Sequence, residues 1–405
     1  MRFVLSRITS VAEAVMVAAL FLVVAAAAAP ASAEEPPQEW FKTVGESVQQ
    51  SWVVSMVADD PLQKRIVRKD PTPGAAARRI MVLYPRPSSA YDVAITKMLD
   101  VFAEKDINAD VTIYNFNKDD ARGQQAIAWA GRSGVELIFS MGSESTAWLY
   151  SHYKGGNIPV VSVCSKDPVM LGQTPSYDRG SGTNIAFTSL NMPVEVQMNY
   201  VLELMPNLKN FGILVDGANV SAVETQAKPM AQYAKQRGIQ VLDLAIQDPK
   251  NAKAELAELV KSAVALMRKS DPTLSQSILW ITGSTSVFGE IATINENSDR
   301  VPVLSVAPEV VKAGDDSAAL AIGISFESNA HLAAVYGAEI LAGTQKVGNL
   351  PVGIVSPPDI AINFRKAREI GLEIPFNFIE SANFIYDYEG QAVRRTESEV
   401  DSTLN

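Results

Sequence analysis

Two short stretches place glycine and hydroxyl residues where a small acidic group can be bound. Gly142-Ser143-Glu144-Ser145 follows the apolar run of residues 135–141, and Gly283-Ser284-Thr285 follows the apolar run of residues 277–282. Each pattern predicts a buried strand, a tight turn and the first turn of a helix, where backbone N–H groups and hydroxyls can donate to a carboxylate. The same serines would look identical in sequence if they only capped their helices.

The turn after the first predicted strand supplies a second group of candidates. Tyr84 ends that strand, and Arg86 and Ser89 follow it in Tyr84-Pro-Arg-Pro-Ser-Ser89. A guanidinium on such a turn is suited to an acidic ligand group, although an arginine on a loop is as often simply solvated.

Four more residues are candidates because they follow later strands. Asp167 precedes Pro168, and a carboxylate there either binds an amino group or shapes a turn. Asn184 either bonds a ligand or caps a strand. Phe187 and Phe326 are candidates for an aromatic wall, with core packing as the default for phenylalanine.

The elements that must position these residues occur twice along the chain. The strands predicted in the first half are matched, at a nearly constant spacing, by four in the second half, and helix-like segments separate them. They are Ile80–Tyr84, Asp110–Tyr114, Leu137–Ser140 and Val160–Cys164, then Phe211–Val215, Val241–Ala245, Leu279–Thr282 and Val303–Val306. Uninterrupted apolar strands alternating with helices predict an α/β fold of two Rossmann-like lobes with parallel sheets. The two glycine-serine turns would then face each other across a cleft.

The ends of the chain lie outside this repeat. A basic start, an apolar run and the A-x-A site Ala31-Ser32-Ala33 predict a secretory signal peptide over residues 1–33, with a membrane anchor as the alternative. Residues 34–77 predict a helical extension and a linker. The apolar stripe of residues 38–57 indicates either packing on the protein's own surface or a partner or dimer contact. The polar residues 389–405 predict a flexible tail.

Composition limits the classes of function. The chain has 405 residues, 47% of them hydrophobic, a net charge of −10, one cysteine and two histidines. The negative charge argues against a nucleic-acid partner, and Cys164 has no cysteine to pair with. No metal site and no cofactor is predicted, since ligand clusters and the nucleotide-binding motifs are absent from the sequence. An enzyme would have to rely on Asp167 with Glu144 or Glu327, and we favour a binding protein.

Several short motifs in fixed order resemble one known family. They lie between about residues 80 and 385: Pro159-Val-Val, Asp167-Pro-Val169, Gly182-Thr-Asn-Ile185, Leu204-Met-Pro-Asn-Leu-Lys209 with Gly212-Ile-Leu-Val215, Pro302-Val303, Gly314, Ile340-Leu-Ala-Gly343 and Ala367-Arg-Glu-Ile-Gly-Leu-Glu-Ile-Pro375. In these the chain is similar to the ABC-transporter substrate-binding proteins of the type 1 periplasmic fold, the group that includes tryptophan- and other aromatic amino-acid-binding members.

The resemblance implies a venus-flytrap architecture with three segments crossing between lobes, near residues 184–190, 322–326 and 351–356. Lobe one would comprise residues 78–187 and 324–350, and lobe two residues 188–323 and 351–388. The helix over residues 328–341 would pack on lobe one and that over 361–371 on lobe two. Asp167 would face the cleft and pair with a ligand amino group.

The same resemblance implies a periplasmic solute-binding protein that presents a small molecule to an ABC permease. An amino-acid-like ligand, aromatic or branched, is expected. The sequence departs from the family at Ala186-Phe187, Gly283-Ser284 and Ser325-Phe326-Glu327, all near the expected ligand. A sensing module that feeds a signalling receptor is the alternative.

Overall fold

The alternating strands and helices form two sheets in a computed structural model, which describes residues 40–41, 46–57 and 60–395. The predicted signal peptide and residues 396–405 lie outside the described residues. From Phe41 onward the chain belongs to one structural unit.

The sheet of lobe one has seven strands in the order β1-β2-β4-β3-β5-β6-β7. Their bounds are β1 Trp52–Val57, β2 Asp60–Arg68, β3 Arg78–Tyr84, β4 Ala109–Asn115, β5 Leu137–Met141, β6 Val160–Val163 and β7 Ile185–Ala186. The pairings from β4 to β7 are all parallel, whereas β2 is antiparallel to both β1 and β4.

The short strand β8 (Thr188–Ser189) leads out of lobe one, and the sheet of lobe two follows. This sheet has eight strands in the order β10-β9-β11-β12-β13-β15-β16-β17. They are β9 Asn210–Asp216, β10 Gln240–Ile246, β11 Ser277–Ile281, β12 Val303–Ser305, β13 Leu320–Gly323, β15 Asp359–Asn363, β16 Phe384–Tyr386 and β17 Ala392–Arg395. The remaining strand, β14 (Gly353–Ile354), pairs with β8 in a two-stranded link.

The two lobes share one topology. Counted from the first strand of each repeat, β3 to β7 and β9 to β13 both have the order 2-1-3-4-5 with parallel neighbours throughout. All eight strands of the predicted repeat are present, with bounds within two residues of those expected. In such a sheet the strand order reverses between strands 1 and 3, and ligands bind outside the carboxyl ends of the strands there.

Helices cover the sheets of both lobes. Their bounds are α1 Glu46–Ser51, α2 Ser89–Glu104, α3 Asp120–Arg132, α4 Gly142–Tyr153, α5 Val194–Leu204, α6 Lys228–Gln236, α7 Ala252–Ser270, α8 Thr285–Phe288, α9 Ile291–Ser298, α10 Phe326–Ala342, α11 Phe364–Ile370 and α12 Phe376–Ser381. A π-helical segment, Val223–Ala227, precedes α6. As expected, α10 packs against lobe one, on α2, β5 and β6. The core of lobe one includes Met81, Leu83, Ile138 and Val160.

The prediction of one apolar helix over residues 38–57 is wrong. Among the described residues of this stretch only α1 is helical, and Trp52–Val57 is the outer strand of a hairpin whose inner strand β2 pairs with β4. Trp52 is buried, with the Arg68 guanidinium 5.9 Å from its ring centroid, whereas Val53, Val54 and Met56 are exposed. The hairpin forms because the edge of β4 offers backbone groups that need partners, a requirement that apolar spacing does not reveal.

Two smaller predictions also need correction. The helix expected over residues 361–371 begins only at Phe364, because residues 359–363 form β15 at the side of β13. The expected flexible tail includes β17, which pairs antiparallel with β16.

Candidate functional site

A cavity of about 430 Å³ lies where the carboxyl edges of the two sheets face each other. Lobe one lines it with residues that follow β3, β4, β5 and β6: Arg86, Ser88, Ala90, Tyr91, Lys118, Gly142, Ser143, Glu144, Cys164 and Lys166. Lobe two lines it mainly with residues that follow β9 and β11: Asp216, Ala218, Asn219, Ser221, Gly283, Thr285 and Ser286. Leu190 and Phe326, from two crossing segments, complete the wall together with Pro249.

The turn that begins α4 is shaped by glycine. Gly142 has φ of +75°, and a Cβ atom there would lie 2.0 Å from the hydroxyl oxygen of Tyr91. Any larger residue would therefore be strained and would displace Tyr91 from the cavity wall. The next residue, Ser143, accepts a hydrogen bond at Oγ from the backbone N–H of Lys166 (2.9 Å). An accepted bond leaves the hydroxyl proton of Ser143 to donate to a ligand.

Lys166 connects the two lobes. Its side chain is buried and Nζ donates to the carbonyl oxygen of Gly283 at 3.0 Å, while the Gly283 N–H donates to Oε1 of Gln226 at 2.9 Å. The pKa of Lys166 is lowered to about 8, mainly by burial, and the nearby Arg86 contributes to this lowering. An anion that binds close to Nζ would favour the charged form of Lys166. The side chain is therefore suited to bind an acidic group of a ligand in the cavity.

One carboxylate and two cations form a cluster at the rim of lobe one. Glu144 bonds Nε of Arg86 at 2.9 Å and Nζ of Lys118 at 2.5 Å. Burial alone would raise the pKa of Glu144, but Lys118 and Arg86 together hold it below its ordinary value. Lobe one therefore presents three cations and one carboxylate to the cavity, and this balance favours an acidic ligand group.

The acidic group of lobe two is Asp216 at the end of β9. It accepts hydrogen bonds from the Ser286 hydroxyl (2.7 Å) and from the backbone N–H of Ala218 (2.9 Å). A carboxylate offers about four acceptor positions, so with two donors attached it can still bind an ammonium group.

The aromatic part of the wall belongs to Phe326 at the start of α10. Its ring lies 6.3 Å from that of Phe288, and its backbone N–H donates to Oε1 of Glu309. Burial raises the pKa of Glu309 to about 8. The other carboxyl oxygen of Glu309 is buried without a hydrogen-bond partner among the described residues, which likewise favours the neutral acid.

Six of the residues predicted from the sequence line this cavity. They come from both lobes and from one crossing segment: Arg86, Gly142, Ser143, Gly283, Thr285 and Phe326. The two glycine-serine turns do meet across the cleft, yet they are not equivalent. Ser143 reaches the cavity, whereas Ser284 is fully buried, with Oγ bonded to Oγ1 of Thr282 (3.1 Å) and to Nδ2 of Asn219 (3.4 Å).

Four further predicted residues lie inside lobe one rather than on the cavity wall. The Tyr84 hydroxyl donates to the carbonyl oxygen of Tyr91, and Ser145 donates to that of Leu83. Asn184 accepts from the N–H of Gly155 and donates to the carbonyl oxygen of Ile158, and Phe187 packs in the core. Core packing, the alternative given for Phe187, describes its position, and Asn184 bonds backbone groups within lobe one, whereas Ser145 lies inside α4 and does not cap it.

Neither of the last two predicted residues, Ser89 and Asp167, lines the cleft, but residues next to each of them do. Ser88 and Ala90 line the cavity, and Ser89 between them does not. Asp167 lines a different cavity, and its neighbour Lys166 occupies the expected place in the cleft. Lys166, Tyr91, Asp216 and Ser286 are the residues that sequence reasoning missed. The only sequence feature that could have indicated these residues is their position close to the ends of predicted strands.

The fold is shared with solved structures of low sequence identity. A conserved domain protein from Vibrio cholerae superposes with a TM-score of 0.61 at 18% identity, covering 76% of this chain and 99% of that one. A Streptococcus protein described as an ABC domain in complex with L-Trp gives 0.59 at 17% identity, covering 76% and 100%. The ligand-free, open substrate-binding protein CD0873 from Clostridium difficile gives 0.56 at 20% identity, covering 75% and 98%. These likenesses confirm the fold predicted above, two lobes around a cleft.

The sequence itself assigns the family. Residues 80–384, well over half of the chain, match the family model described as ABC transporter substrate binding protein. The chain belongs to this family, whose members bind small molecules for ABC transporters and are not enzymes. No curated protein matches the sequence.

Two features, a membrane-spanning helix and a metal-binding cluster, are absent from the described residues. No helix there is both long and apolar enough to cross a bilayer. No group of three or more His, Cys, Asp or Glu side chains in the same residues is arranged to hold a metal ion.

Proposed function

We propose that the protein is the periplasmic solute-binding component of an ABC import system, and that it captures an amino-acid-like molecule with an aromatic or branched side chain. The observation that carries this proposal is the set of donors at the start of α4. Gly142 at the helix N-terminus, Ser143 and Lys166 all line the cavity, and the backbone N–H of Lys166 donates to Ser143 Oγ at 2.9 Å. Such donors suit a carboxylate.

The rest of the cavity offers contacts to the amino group and the side chain of the ligand. Asp216 in lobe two replaces Asp167 as the partner of an amino group, and Tyr91 and Phe326 supply apolar surface. A ligand in contact with both sets of residues stabilises the arrangement in which the lobes face each other, because only that arrangement allows both sets of contacts.

A thermal-shift panel tests the ligand class. It should contain aromatic and branched amino acids, dicarboxylates, sugars and nucleobases. A compound at about 100 times its dissociation constant stabilises the folded state by about 2.7 kcal/mol. We expect shifts from aromatic or branched amino acids, with the corresponding amides, which lack the carboxylate, giving little. Shifts from sugars or nucleobases alone would refute the ligand proposal.

Export is tested separately. N-terminal sequencing of the protein from a periplasmic extract should begin at Glu34 or within a residue or two, because Ala31-Ser32-Ala33 has the pattern of a cleavage site. An intact Met1 on membrane-bound protein would refute periplasmic release.

A further inference from the structure

A second cavity, of about 510 Å³, adjoins the cleft without sharing any lining residue with it. Its wall is assembled from the loop after β6, the segment that links β8 to α5, helix α6 and the third crossing strand β14. Lys166 and Leu190 face the cleft, whereas their neighbours Asp167 and Asn191 face this second cavity. The cavity is therefore built at the junction of the lobes.

The lining of this cavity carries only negative charge. Asp167 and Glu195 contribute carboxylates, and none of the described residues that line it is Lys, Arg or His. Asp167 is 5% exposed and is held rigidly, since Oδ1 accepts from the N–H groups of Val169 and Met170 and Oδ2 accepts from the Tyr177 hydroxyl at 2.6 Å. A buried carboxylate still accepts further bonds, because its two oxygens offer about four acceptor positions.

The remaining wall combines aromatic and apolar side chains with the amides of Asn191, Gln232 and Gln236. Tyr177, Tyr233, Met170 and Met192 line it, and aromatic faces attract cations. Arg237 lies 4.6 Å from the Tyr233 ring centroid and bonds its hydroxyl, so this guanidinium is already engaged and does not line the cavity. Asn191 adds an acceptor, Oδ1, that is buried without a hydrogen-bond partner among the described residues.

We propose that this second cavity binds a small organic ammonium ion, held by Asp167 and Glu195 and packed against the tyrosine and methionine side chains. The site differs from the cleft in its chemistry, because the cleft combines three cations with the carboxylates of Glu144 and Asp216, whereas this cavity offers carboxylates without a lining cation. Since segments of both lobes line it, its shape depends on the angle between the lobes.

The test is isothermal titration calorimetry of the purified protein with benzylammonium, using benzyl alcohol as the neutral compound of similar shape. We expect saturable binding of benzylammonium and none of the alcohol. Glu195→Gln, an exposed position whose substitution leaves the fold intact, should weaken binding about threefold to tenfold, and Asp167→Asn combined with Glu195→Gln by more than about tenfold. Glu258→Gln, which removes the same charge from exposed helix α7, should leave the affinity unchanged.

Four results would overturn the proposal. Benzyl alcohol binding as well as benzylammonium would show a merely apolar cavity, and an affinity unaffected by Glu195→Gln and by the double variant would place the cation elsewhere. Loss of binding in Asp216→Asn, with wild-type affinity in Glu195→Gln, would place it in the cleft. Absence of benzylammonium binding by the folded wild-type protein would also contradict the proposal.

Discussion

Lys166 determines which charge the cleft presents to a ligand. Its Nζ lies beside the turn at Gly283 and bonds the Gly283 carbonyl oxygen. A Cβ atom on Gly283 would lie 3.2 Å from Nζ, so a larger residue there would push the ammonium group away by a few tenths of an ångström. Under the proposed function, this ammonium group binds the carboxylate of the ligand, and Asp216 binds its amino group.

We predict that the affinity for a carboxylated cleft ligand falls as pH rises through about 8. The pKa of Lys166 is lowered to about 8, so the side chain is mostly charged at pH 7 and mostly neutral at pH 9. Because the charged form binds the carboxylate, affinity should decrease by up to about tenfold over that interval. Calorimetric titrations at pH 7, 8 and 9, with the best amino acid from the panel, measure the effect.

Two variants make this test specific. Lys166→Met should bind more weakly at pH 7 and should lose the decrease between pH 7 and 9. Lys154→Met, at an exposed position outside the cavity lining, should keep the wild-type profile. A wild-type affinity that does not change with pH would contradict a ligand contact at Lys166.

The two serines of the repeated turns should behave differently. Ser143→Ala should weaken ligand binding by about 0.5–1.5 kcal/mol, the net contribution of one neutral hydrogen bond, because its hydroxyl reaches the cavity. Ser284→Ala should leave affinity unchanged and lower the free energy of unfolding by about 1 kcal/mol, because its Oγ is bonded only within lobe two. Calorimetry and urea unfolding of both variants separate the two roles. Equal losses of affinity would contradict the observed geometry.

At the scale of elements, strand positions were predictable and side-chain directions were not. The strands at residues 137–141 and 277–281 are buried throughout and apolar at every position except Ser140 and Ser277, as expected of strands covered on both faces, and they end close to the glycine turns. The amino-acid sequence does not show which of two consecutive residues after a strand faces the cleft. At positions 166 and 167 this choice decides the charge in the site. Lys166 lines the cleft, whereas Asp167 lines a different cavity.

The hairpin of β1 and β2 was missed for a related reason. Val48 and Trp52 are both buried and four residues apart, which satisfies a helical pattern, yet one lies in α1 and the other in β1. β2 forms because it pairs with the edge of β4, about fifty residues further along the chain. The local spacing of apolar residues gives no information about that pairing.

The beginning of α10 depends on an acid that should remain protonated at neutral pH. Glu309 accepts from the Phe326 N–H, and burial raises its pKa to about 8 from 4.5. Between those two values the folded state retains a proton that the unfolded chain has lost. Raising the pH therefore favours unfolding, by up to about 1.4 kcal/mol for each pH unit.

We predict that Glu309→Gln removes this part of the pH dependence. Relative to the wild type, the variant should gain stability progressively as pH rises from about 5 to 8, because glutamine does not titrate. Urea unfolding at half-unit steps of pH measures the difference, with Glu258→Gln on the exposed face of α7 as the matched control. A constant difference between variant and wild type over that range would show that Glu309 is ionised in the folded protein.

At the scale of the whole molecule, the cleft ligand and the Lys166 bond act on the same equilibrium between open and closed lobes. The Lys166–Gly283 hydrogen bond joins lobe one to lobe two without a ligand, so it contributes to the closed population. A hydrogen bond from a charged donor contributes about 1.5–3 kcal/mol at most, and less here because the lysine is partly neutral above pH 7. Removing it should change the ratio of open to closed molecules by about tenfold.

We therefore predict that Lys166→Met has a larger radius of gyration than the wild type in small-angle X-ray scattering at pH 7. The wild type should also expand slightly between pH 7 and 9, as Lys166 loses its proton, and the variant should not. Lys253→Met, on exposed helix α7, controls for the loss of a lysine that joins no other element across the cleft. Adding the best panel ligand should contract both proteins, because its contacts with Ser143 and Asp216 remain in the variant. Identical scattering from Lys166→Met and wild type in the absence of ligand would show that the lobes are held together by the crossing segments alone.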